Sequence, residues 1–122
     1  MNQETNPLSI SLADIKHFVE NELKINISRN TRKREYVYAR AIFFKLCKEF
    51  SHQTLSKIGE FVGRDHASVI HGLYVFDVIA LHKDSILNSY TKIRNEIFEE
   101  TEDDLRKYNR EIRKIEKESI KW

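Results

Sequence analysis

A chain of 122 residues with one proline (Pro7) and three glycines (Gly59, Gly63, Gly72) contains almost nothing that interrupts a helix. Proline removes a backbone donor and glycine costs backbone entropy, so their scarcity beside abundant Leu, Ile, Lys, Glu and Arg favours long helices over a sheet. The implied fold class is all-α, a helical bundle. The length suits one compact domain with room for a helical appendage.

Hydrophobic spacing divides the chain. Residues 1–9 are polar and read as a flexible N-terminal tail. Ser9 or Ser11 can cap a helix over about 11–23, where Leu12, Ile15, Phe18, Val19 and Leu23 recur at helical spacing. Residues 24–34, KINISRNTRKR, show no apolar stripe and read as a basic loop. A long helix over about 33–51 follows, with Ala39, Ile42, Phe43, Leu46 and Phe50 on one face. Thr54 can cap a short helix at 55–62, Gly63 can end it, and Asp65 can cap a further helix over about 66–82. Two helices joined by so tight a turn make a helix-turn-helix, within one domain over 10–82. Residues 83–122 form a charged helical extension, a candidate helical hairpin or coiled coil. Thr101 and Asp104 have capping-box spacing, which predicts a break near residue 100.

The formal net charge of +2 is unevenly spread. Residues 24–64 carry ten Lys/Arg against Glu35, Glu49 and Glu60, whereas the flanking segments are net acidic. A local basic patch attracts a polyanion even on a nearly neutral protein. Cys47, alone, cannot form an internal disulfide, and neither a secretory signal nor an apolar run of membrane-spanning length is visible. These features lead us to expect a cytoplasmic protein. There is no paired-carboxylate or nucleophile constellation and no G-x-x-x-x-G-K-[ST] loop, so we expect no enzyme, no nucleotide and no cofactor. His66 and His71 are five residues apart, off a common helical face and without a Cys or carboxylate cluster, so no metal is expected either.

The second helix of the helix-turn-helix opens with Arg64-Asp65-His66-Ala67-Ser68. At the start of a helix entering the major groove, Arg can pair with guanine, Asp can accept from base amino groups, and a small side chain can touch the thymine methyl. Duplex DNA is therefore the partner that these residue types fit. On spacing alone Asp65 serves equally well as an N-cap, and Thr31-Arg32-Lys33-Arg34 as a solvated charge run. Phe43, Phe44 and Phe50 follow helical periodicity and read as core rather than as a base-stacking platform.

The stretches Ala39-Arg40-Ala41-Ile42-Phe43-Phe44, Leu55-Ser56-Lys57-Ile58-Gly59 and Gly63-Arg64-Asp65-His66-Ala67-Ser68-Val69-Ile70-His71-Gly72 together resemble the C-terminal DNA-binding domain of the bacterial replication initiator DnaA. The resemblance implies that Arg32 enters the minor groove with Arg34 nearby. It implies that Asp65, His66 and Ala67 read bases in the major groove, and that Arg64, Ser68, His71, Arg40 and Lys48 hold phosphates or support the reading helix. Three departures stand out. Ala67 occupies a position where the family usually has a hydroxyl residue, Ser56 replaces a proline, and the turn over 59–63 is about one residue shorter. The resemblance further implies a role in replication-origin binding or regulation of replication or transcription, in a bacterial cell or, if the chain is phage-encoded, in its host. The alternative is a protein-interaction or homo-oligomerisation module working through residues 83–122.

Overall fold

The computed structural model describes residues 9–80 and 82–119; most of the expected N-terminal tail lies outside the described residues. Five helices follow one another: α1 (Leu12–Leu23), α2 (Arg34–Phe50), α3 (Leu55–Phe61), α4 (His66–Ala80) and α5 (Asp84–Ser119). No strand occurs among the described residues.

Local chemistry sets the boundaries. The Ser11 hydroxyl accepts from the Asp14 amide (3.1 Å) to start α1, and Lys24 ends it in the left-handed region at φ 58°. The Thr54 hydroxyl accepts from the Lys57 amide (3.2 Å) to start α3. Gly63, at φ 73°, turns the chain out of α3, and the Arg64 amide then donates back to the Gly59 carbonyl at 2.8 Å. That fold-back brings backbone against Gly59, where a Cβ would lie 2.7 Å from the Arg64 carbonyl oxygen and 2.8 Å from that of Asp65.

α2 is the central element, packed against by each of the other four helices. Phe44 is buried as expected, and burial goes beyond the single apolar stripe, because Ala41 and Cys47 are covered as fully as Ala39, Ile42, Phe43, Leu46 and Phe50. Ile15 and Val19 of α1, Ile58 of α3, Val69 and Phe76 of α4, and Ile93 and Ile97 of α5 complete one core. Each such large side chain removed from water contributes about 1.5–3 kcal/mol before entropy is counted. Gly72 lets α4 close onto the Phe44 ring, into which a Cβ would run directly.

The expected break near residue 100, and with it the hairpin, is corrected: α5 is one continuous helix of 36 residues. The Thr101 hydroxyl does not cap a new helix but donates to the Ile97 carbonyl one turn back (2.8 Å), and no proline or glycine in the segment stops propagation. The first half of α5 is locked to the bundle. Tyr90 donates to one oxygen of Glu49 (2.6 Å), Arg94 holds the other through Nε (2.7 Å) and Nη2 (2.6 Å), and Lys92 pairs with Glu22 at 3.0 Å. The Arg94 guanidinium also lies over the Phe98 ring, 4.8 Å from its centroid.

Candidate nucleic-acid interface

The basic loop between α1 and α2 is a built structure. Buried Ile27 anchors it, with its amide donating to the Glu20 carboxylate (2.9 Å). Asn26 accepts from the Ser28 amide (3.0 Å) and Thr31 from the Lys33 amide (3.2 Å), both short side-chain turns that replace regular structure. The largest constraint comes from Arg40 on α2. Its guanidinium donates to the carbonyls of Ile27 (3.2 Å), Arg29 (3.2 Å) and Thr31 (2.7 Å), gathering the loop around one planar fork. Arg40 is only 7% exposed. Burial, and then the neighbouring Arg64 charge, hold its pKa below the usual arginine value. Expected as a DNA contact or a support, Arg40 thus has its main hydrogen bonds committed to the loop.

Held this way, the loop presents Arg32, Lys33 and Arg34, all exposed. Arg29 folds back on Tyr36, donating to its hydroxyl (3.3 Å) and covering its ring at 5.8 Å. Spacing alone could not reveal this pairing, because the loop's fold-back brings the two together.

At the mouth of α4, Asp65 accepts the Ser68 amide through one carboxylate oxygen at 2.9 Å. That hydrogen bond first, and one from the Ser68 hydroxyl second, lower the Asp65 pKa, so the residue is a charged N-cap. Arg64 donates to the Val62 carbonyl two residues back (2.8 Å) and reaches the Arg29 carbonyl (3.4 Å), tying the turn to the basic loop. His66, Ala67 and His71 are exposed. Ile70 and Tyr74 share their face of α4 at 51% and 65% exposure; the sequence reading missed both, although each follows His66 or Ile70 by four residues.

An open cleft between α2 and α4 brings together Arg32, Arg40, Arg64, Asp65, Ala67, Ser68 and His71. Arg34 and His66 are exposed but do not line it, and Lys48 borders a separate groove with Lys45, Glu49 and Arg94. Among the described residues, Arg32, Arg34, Arg40, Lys48 and Arg64 form no ion pair with a carboxylate. The cleft is thus cationic, with Asp65 turned to its own helix.

Cys47 is fully buried and burial pushes its thiol pKa up, the reverse of what a nucleophile needs. Among the described residues no three His, Cys, Asp or Glu side chains gather in a metal-holding arrangement, and no helix is long and apolar enough to cross a membrane.

Comparison with known sequences matches residues 12–74 to the family described as "Bacterial dnaA protein helix-turn-helix". The chain is similar to proteins named chromosomal replication initiator protein DnaA. The one from Wolbachia sp. subsp. Brugia malayi is 37% identical over 73 residues, 57% of this chain and 16% of the relative. That from Bacteroides thetaiotaomicron is 48% identical over 46 residues (37% of this chain, 10% of the relative). That from Symbiobacterium thermophilum is 41% identical over 70 residues (53% and 15%). The chain therefore spans about a sixth or less of the length of these relatives.

Proposed function

This chain belongs to the bacterial DnaA helix-turn-helix family, and we propose that it is a sequence-specific double-stranded DNA-binding module acting in replication-origin recognition or its regulation. One observation carries the reading. The arginines of the basic loop and of the mouth of the second helix of a helix-turn-helix share one cleft, and among the described residues none of them is ion-paired with a carboxylate. A phosphate backbone supplies that missing charge, while the exposed end of α4 is left for base edges.

In this mechanism α4 enters the major groove by its first turns. Asp65 accepts a base amino proton with the oxygen that is not capping the helix, His66 donates or accepts according to tautomer, and Ala67 offers a methyl contact but no hydrogen bond. Arg32, on its fixed loop, enters the adjacent minor groove. Arg34, Arg64 and Lys48 neutralise phosphates, with Ser68 and His71 as hydrogen-bonding supports, and Arg40 keeps loop and helix in register. Binding of this kind uses no cofactor, nucleotide or catalytic step, and the cytoplasm, where bacterial and phage DNA both lie, is its setting.

The test is selection of the purified chain on a randomised duplex library at near-physiological salt, beside an Arg32→Ala, Asp65→Ala double variant. The expected result is an enriched motif that the variant loses. Absence of enrichment, with affinity that only falls as salt rises, would reduce the chain to a non-specific polyanion binder.

A further inference from the structure

The second half of α5 carries three longitudinal zones. Leu105, Tyr108, Ile112 and Ile115 recur in steps of three and four, the seam of a heptad repeat, and Leu105 and Tyr108 are 52% and 61% exposed. One flank of this seam carries Asp104, Glu111 and Glu118; the other carries Glu102, Asn109 and Glu116. All six Lys/Arg between 106 and 117 lie on the opposite face. Beyond Thr101 no described side chain is buried, so about 27 Å of helix carries this pattern away from the core.

We propose that this seam docks an amphipathic helix of a partner protein whose own apolar stripe is flanked by lysines or arginines. Charge decides the occupant. If two copies of this chain paired in parallel, Glu111 of one would face Glu116 of the other; an antiparallel pair would set acidic flank against acidic flank. Either arrangement places like charges at the edge of a desiccated seam, whereas a basic-flanked helix neutralises both edges. The same acidic borders oppose an anionic lipid surface, because cations stand only on the far side of the helix.

The test uses the full chain and three synthetic 21-residue helical peptides. The first has Leu/Ile at its seam and Lys at its flanking positions, the second has the same seam with Glu flanks, and the third has Lys flanks with a Ser seam. Titration by fluorescence anisotropy should show the first binding at least about ten-fold more tightly than either control. The Glu111→Lys, Glu116→Lys variant should reverse the preference between the first two. Leu105→Glu with Ile112→Glu should abolish binding while leaving helix content and duplex-DNA affinity unchanged. Equal binding of all peptides, no binding of any, capture by anionic vesicles instead, or a dimer of the chain alone that the seam variant disrupts would each overturn the proposal.

Discussion

Replacing Arg40 separates its structural role from a phosphate-holding one. In Arg40→Lys the positive charge stays but the planar fork goes, and one ammonium cannot reach carbonyls presented by Ile27, Arg29 and Thr31 at once. A charge-assisted hydrogen bond contributes about 1.5–3 kcal/mol net, and lysine keeps at most one of the three. Part of the loss is offset, because the flexible lysine ammonium can move toward solvent and shed part of the burial cost that the guanidinium carries. A net destabilisation of about 2–3 kcal/mol results, or roughly 10 °C in Tm for a domain of this size. Arg40→Met, which keeps much of the volume and removes the charge, should lose a similar amount. Chemical denaturation gives the stabilities, and amide hydrogen exchange over 27–33 should rise in both variants. Duplex-DNA affinity should fall in both, since Arg32 is no longer presented in a fixed position. The reasoning is refuted if Arg40→Lys matches the wild type in stability and DNA affinity while Arg40→Met loses only the salt-dependent part of binding; Arg40 would then be an ordinary phosphate contact.

Further expectations concern the turn, the cap, the long helix and the phosphate contacts. Gly59→Ala drives a Cβ into two backbone carbonyls and should cost about 1–3 kcal/mol by thermal unfolding, with a larger fractional loss in DNA binding. Because the folded state lowers the Asp65 pKa, its capping contribution is fully present above the usual carboxylate value near 3.8 and is lost as pH falls through the lower folded value. Asp65→Asn should keep the cap, flatten that acid limb in Tm measured from about pH 5 down to 3, and still weaken cognate DNA about ten-fold. Ile97→Ala should cost about 2–5 kcal/mol, against almost nothing for Leu105→Ala, since only Ile97 is in the core. Lys48→Ala should weaken all duplexes alike and reduce the slope of log affinity against log salt by about one.

The legible parts of this fold are those decided within a few residues. Ser11, Thr54 and Asp65 are caps because a short polar side chain reaches an amide three residues ahead, and that geometry is local. Thr101 shows the limit of the same rule. The residue type and spacing for a cap are present, but the hydroxyl can equally bond one turn back, and the absence of any breaker tips the choice. The burial of Ala41 needed knowledge that α2 is packed on several sides, which periodicity on one helix does not contain. Arg40 stands out in the sequence as a candidate site residue, yet its hydrogen-bond partners lie nine to thirteen positions earlier, in a loop whose path depends on Arg40 itself. The motif at 63–72 marked the mouth of α4, while Ile70 and Tyr74, apolar and on the exposed face, look like core residues until the helix is docked.

The central claim is that the loop over 29–34 and the first turns of α4 form one DNA-facing surface. The most direct measurement is the change in backbone amide NMR shifts of the ¹⁵N-labelled chain on titration with a duplex. The account predicts perturbations confined to 29–34, 64–71 and the neighbourhood of Lys48, with residues 102–119 unmoved. Shifts centred on the basic face of α5 at 106–117, with the loop and α4 unchanged, would contradict it.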